Sequence, residues 1–339
     1  MRRGLSFPSW TTALLSLLPL SAGAVNIVID YTYDTASLFD STAKATLAQA
    51  ASDLSTALGN TPLAALSTNS YTGTTPGASA TAIWNLTFTN PSTGTTISLP
   101  APQTSPGFPV SEIRIYAGWQ NLTGSVLGTG SPGGASASLG VSYTNEAALP
   151  VAVNNLENIS NTAMGRGDGP VIGAISGAFN GNTQPDVPFT LEYGAFVGSL
   201  WFDSDTNNDN VTDMPATLET AWNLGMNQPS AGQSDLYSTA LHEIMHAVGF
   251  GTSDTWSTLS DPRIAGSHLA SGTTGARLSD GVMQEAVMTS SVTVGTRKEL
   301  TTVDLDFLGK LGYNVVPEPA AAGLLAMVGS LLLMRRRRR

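Results

Sequence analysis

The stretch that decides the reading is "STALHEIMHAVGFG", Ser238–Gly251. His242 and His246 stand four residues apart, and on an α-helix four residues turn about 400° and rise about 6 Å. Both imidazoles therefore leave the same face, one turn apart, and can reach one metal ion at about 2.0–2.1 Å each. Glu243 follows the first histidine, so it points beside the metal rather than at it and suits a general base acting on metal-bound water. Zinc lowers the pKa of such a water to about 7, which makes hydroxide available near neutral pH. Asp235 or Ser234 can cap this helix, and Leu241, Met245 and Val248 fall at i, i+4 and i+7, a stripe for the core. Gly249 can take positive φ and stop it. The chain has only three histidines, two of them in this run, which argues against a chance match.

A third ligand is needed. Thr252, the residue at the next step, is a poor zinc ligand. His268, in "AGSHLASG", lies 22 residues beyond His246, and Asp254 and Asp261 are the carboxylate alternatives. His268 would complete three nitrogens with one open position, the catalytic pattern.

"HEIMHAVGF", a long insertion, Ser267-His268 and then "EAVMTSS" resemble the leishmanolysin branch of the metzincin zinc peptidases. The resemblance covers roughly Asp235–Tyr313. It implies zinc on His242, His246 and His268, Glu243 as base, and Met288 in a methionine turn that supports the ligands from below without binding metal. Met283 competes for that turn, but "AVMTSS" fits the family better. The insertion is shorter than in the large leishmanolysins and holds no cysteine. Gluzincins, the rival zinc family, need a downstream glutamate ligand; Glu285 is the nearby candidate and lacks the N-E-x-x-x-E surroundings. In "LTTVDLDFLGKLGY", Thr301 caps a helix with Asp304 three residues on. Val303, Phe307, Leu308 and Leu311 form its buried side, and Gly312 ends it. A metzincin carboxy-terminal helix packs beneath the active-site turn.

Further out, "VNIVIDYTY" and "SEIRIYAGW" alternate as strands, as do "AIWNLTFTN" and "TTISLP" around the turn "PSTG". Ala43, Leu47, Ala50, Leu54 and Leu58 share a helical face that Gly59 and Asn60 end. "LGTGSPGGASASLG" is expected to be loop, being too rich in Gly and Ser to pack and lacking the spacing and lysine of a phosphate-binding loop. "PFTLEYGAFVGSLWFDSD" holds one or two strands. By family analogy its "GSLWF" is a candidate edge for pairing with an extended peptide. Beyond it, Asp203, Asp205, Asn207 and Asp209 alternate like the start of a calcium loop. Asn208 stands where that loop needs Gly and Met214 where it needs Glu, so a solvated acidic turn is the alternative. The expected fold class is α+β: a metzincin-like domain with a twisted mixed sheet, an active-site helix and a carboxy-terminal helix.

Residues 1–24 read as a secretory signal peptide, with Arg2 and Arg3, an apolar core and "SAGA". At the other end Val316–Pro319, the apolar run 320–334 and five arginines resemble the PEP-CTERM sorting signal of Gram-negative bacteria. That likeness implies processing by an exosortase and a membrane-inserted tail over 317–339. The body, 25–316, is then exported to the envelope or beyond, with a catalytic core at about 188–316. Without Arg2, Arg3, Arg335–Arg339 and Glu318 it keeps 8 basic and 24 acidic residues, a net charge of −16. That repels phosphate backbones and excludes nucleic acid as a partner. No cysteine is present, so the body stands on its core and on any bound metal. The expected activity is zinc-dependent cleavage of protein or peptide substrates. The alternative is a non-enzymatic surface or matrix protein with a structural metal site.

Overall fold

The computed structural model describes residues 25–59, 61–66, 68–100, 109–181 and 185–316. The signal peptide, Asn60 and the sorting tail expected from the sequence lie outside them. Among the described residues no helix is long and apolar enough to cross a membrane.

The first half runs β1 (Asn26–Asp30), α1 (Ser41–Ala57), β2 (Ser70–Thr75), β3 (Ala78–Thr89), β4 (Thr96–Pro100), β5 (Glu112–Gln120), β6 (Gly128–Pro132), β7 (Gly134–Tyr143) and α2 (Leu149–Met164). Then come β8 (Gly173–Phe179), β9 (Val187–Tyr193), β10 (Val197–Asp203), α3 (Pro215–Ala221), β11 (Trp222–Asn223), β12 (Ser234–Asp235) and α4 (Leu236–Ala247). The last of the described residues hold α5 (Asp254–Ser257), β13 (Ile264–Ala265), β14 (His268–Leu269), β15 (Thr274–Ala276), β16 (Met283–Glu285) and α6 (Thr302–Lys310). The class is α+β, as the sequence leads one to expect.

The main sheet has the order β1-β5-β10-β6, parallel through β10 and antiparallel at β6. Its strand β5 is buried on both faces. Ile113, Ile115, Ala117 and Trp119 join a core with α1, α4 and α6, while Tyr116 joins a second core. That second core lies between α2, the β8–β9 hairpin and an antiparallel sheet in which β3 pairs with β2, β4 and β7. Helix α1 has the expected apolar face. Asp40 caps it by accepting from the Ala43 amide, Leu47 and Leu54 are fully buried, and Gly59 ends it at φ 55°. The Tyr237 hydroxyl of α4 donates to the Asp53 carboxylate of α1 at 2.6 Å, so the two helices are tied as well as packed.

Two expectations need correction. The Gly/Ser-rich run at 127–140 is not loop: it forms β6 and β7. Strand β6 packs against α4 so closely that a Cβ on Gly130 would sit 2.1 Å from the Glu243 carbonyl oxygen. Glycine is there because a side chain does not fit, the situation that lowers strand propensity yet favours close backbone approach. The edge expected at "GSLWF" is also displaced. That strand is β10, enclosed between β5 and β6, and β6 is the sheet's edge on the α4 side. Helix α2 and strand β8 were not anticipated from the sequence.

Candidate metal centre

Helix α4 starts where expected. Asp235 accepts from the Ser238 amide as its N-cap and is held in turn by the Arg297 guanidinium through both oxygens, at 2.6 and 3.0 Å. Leu241, Met245 and Val248 are fully buried. Gly249 takes φ 104° and turns the chain away. Thr252 is no ligand: its hydroxyl donates to the His246 carbonyl at 2.7 Å and finishes the helix end.

The chain then returns through α5 to the β13–β14 hairpin. Trp256 Nε1 donates to the Gly266 carbonyl at its tip, and the Leu269 amide donates to the Met288 carbonyl at its base. Gly251, at φ 75°, lets the hairpin lie on the helix end; a Cβ there would fall 1.9 Å from the Ser267 carbonyl oxygen. His268 is thereby brought to the other two histidines. One ligand nitrogen from each of His242, His246 and His268 lies within 4.8 Å of the others, so the three can hold a metal ion. Their ring centroids form a near-equilateral triangle of 4.8, 5.1 and 4.9 Å.

Hydrogen bonding fixes which nitrogens are free. His242 Nδ1 lies 2.8 Å from the Val287 carbonyl and His246 Nδ1 lies 2.7 Å from the Phe250 carbonyl. A carbonyl only accepts, so both Nδ1 atoms carry the proton and both Nε2 lone pairs face the site. Burial and the neighbouring imidazoles push His242 down to about 3, and burial takes His246 to about 4. Burial also lowers His268. The rings are thus neutral at pH 7, the ligating form. His246 Nε2 and His268 Nε2 stand 3.2 Å apart. His246 Nε2 has no proton of its own, so at that distance either His268 Nε2 donates to it or a cation lies between them, and two nitrogens on one tetrahedral zinc are separated by about 3.3 Å. The donor set fits a metal ion.

Glu243 is buried against β6, where it accepts from the Gly130 amide; desolvation still raises its carboxyl to about 8. A cation beside it would draw that value down. Met288 is fully buried in the turn after β16, whereas Met283, in that strand, is 64% exposed. The turn is pinned by Asp304 of α6, whose carboxylate accepts from the Val287 amide at 3.1 Å and the Met288 amide at 3.2 Å. Thr301 and Asp304 make the expected capping box, and Phe307, Leu308 and Leu311 are buried below. The second role of Asp304, and Lys298 behind the turn, escaped the sequence reading, because their partners lie outside any local helix or turn pattern.

The alternative ligands are elsewhere. Asp254 is exposed at the start of α5, and Asp261 is engaged by Arg263 and Lys310. Glu285 accepts from the Gly272 amide and pairs with Lys298. The calcium candidates lie at the end of β10 and in the loop after it. Among the described residues the histidine triad is the group of ligands with metal-holding spacing, and Asp203, Asp205 and Asp209 are not in one. Their carboxylates accept backbone amides instead: Asp203 from Leu122 and Asp205, Asp205 from Asp209 and Asn210, Asp209 from Val211. Asn207 donates to Asp209. The loop closes on itself as an acidic turn.

The triad and Glu243 line a cleft of about 660 Å³ walled by β6, the His268 hairpin and the segment after Met288. Comparison with protein-family models, with curated proteins and with solved structures gives no match.

Proposed function

We propose that the chain is an exported zinc-dependent endopeptidase of metzincin type. The observation that carries this reading is three imidazoles with metal-holding spacing, those of His242 and His246 with bare Nε2 atoms, set beside the buried Glu243 carboxyl in an open cleft. His242, His246 and His268 would hold the zinc, which when bound supplies Lewis acidity. Glu243, anchored by the Gly130 amide, takes the proton of the attacking water and passes it to the leaving amine. An extended substrate would pair with β6, the sheet edge beside Glu243. A structural zinc site is closed by four protein ligands, whereas this one has three and opens on a cleft, so the catalytic reading is preferred to a structural metal. The signal peptide and the PEP-CTERM-like tail add export to the envelope and exosortase processing to the proposal.

The test is metal content and chelator-sensitive cleavage of a denatured protein. Wild type should carry one zinc per chain, and His268→Ala should lose it. Glu243→Gln should keep the zinc yet lose turnover by about 10²–10⁴-fold. Undiminished cleavage by the Gln variant would reject the role of Glu243, and zinc-free wild type would reject the centre.

A further inference from the structure

We propose that the cleft selects peptides with uncharged side chains on both sides of the cleaved bond, a substrate class that rests on the peptidase reading above. Around the imidazoles its walls are Ser125 and Gly128 on the β6 side, Thr239 of α4, and Thr289, Ser290 and Val292 after the Met288 turn. Among the described residues no acidic residue apart from Glu243 lines it, and no lysine or arginine does.

The cations near the wall are already engaged. Lys298 stands behind it with its side chain 7% exposed. Its ammonium meets Thr289 Oγ1 at 2.7 Å, the Ser291 carbonyl at 2.7 Å, the Ala286 carbonyl at 3.3 Å and the Glu285 carboxylate at 3.0 Å. An ammonium has three protons to donate, so four acceptors within the wall leave none for a ligand. Arg297 is taken up by Asp235 and by the Gly225 and Met226 carbonyls. A charged side chain entering the cleft would therefore lose water and find no oppositely charged partner beyond Glu243, which the reaction itself occupies. Neutral side chains meet hydroxyls, glycine backbone and valine instead. The net charge of the body adds a long-range bias against acidic peptides in particular.

The full chain loaded with zinc is tested in two ways. In a mixed peptide library read by mass spectrometry, Asp, Glu, Lys and Arg should be depleted at least about tenfold at the two positions flanking cleaved bonds. Equal or enriched frequencies would overturn the proposal. Zinc-loaded Glu243→Gln is then titrated with three short peptide hydroxamates bearing Val, Lys or Asp beside the zinc-binding group. The Val compound should bind at least about tenfold tighter than either charged one. Parity would overturn the proposal whether or not wild type turns over. The expected binding order without any cleavage by wild type would sink the peptidase reading and leave the charge selection standing. Ser290→Asp should narrow the gap between the Lys and Val compounds to about threefold; an unchanged gap would overturn the assignment of selection to this wall.

Discussion

Without a cation the Glu243 carboxyl titrates near 8, while His242 and His246 titrate near 4 or below. These shifts pull metal-free stability in opposite directions. A histidine whose folded pKa lies below its unfolded value of about 6.5 gives its full stability above that pH. That stability drains as the pH falls toward 3–4, by on the order of 2 kcal/mol per residue at pH 5. A carboxyl raised on folding does the reverse: its stability is full below about 4.5 and drains as the pH climbs to 8. Metal-free protein should thus be most stable near pH 6.5. Glu243→Gln should remove the alkaline loss, so its advantage over wild type in urea midpoints should widen by about 1.5 kcal/mol between pH 6.5 and 8. A constant difference across that range would show that Glu243 is not a buried neutral acid in the metal-free chain. The histidine spacing and the place of Glu243 were legible because helical period alone sets them. Gly130 was not: the same residue type that signals loop in isolation is required where a strand backbone touches α4, and only the neighbour tells the two cases apart.

At the scale of elements, α6 acts on the metal centre through one buried side chain. Asp304 accepts from the amides of Thr301, Val287 and Met288, and Val287 in turn presents its carbonyl to His242. Its cap role could be read from "TTVD", because a capping box is local. Its hold on the turn could not, because that depends on how α6 packs against a segment 16 residues earlier. Asp304→Ala strands these buried amides at about 1–3 kcal/mol each. The expected result is a loss of several kcal/mol in chemical denaturation, and weaker zinc binding even at temperatures where the variant is folded. Wild-type zinc affinity in a folded Ala variant would show that the turn keeps His242 oriented without α6. The His268 hairpin shows the same limit of local reading. The sequence offered His268, Asp254 and Asp261 as ligands, and the choice among them is made by Gly251 and Trp256, which set where the hairpin lies.

At the scale of the whole molecule, the site is framed by elements from both ends of the described residues. Strand β10 has β5 as its parallel neighbour, and β5 has β1. Helix α1 covers α4 with Leu47 and Leu54 in one core with Leu241 and Met245. Residues 188–316 hold the motif and all three histidines, and so look from the sequence like a catalytic core of about that extent. Cut at residue 188, however, β10 would lose one complete row of backbone partners, β6 would be missing from its other side, and the α1-facing side of α4 would meet water. Unpaired strand edges and exposed apolar surface of that kind favour aggregation over folding. Expressed alone, 188–316 should therefore show no cooperative thermal transition and no dispersed amide spectrum, with or without zinc, whereas 25–316 should show both. A folded, zinc-binding 188–316 fragment would mean that β1, α1, β5 and β6 are accessory to the centre rather than its frame.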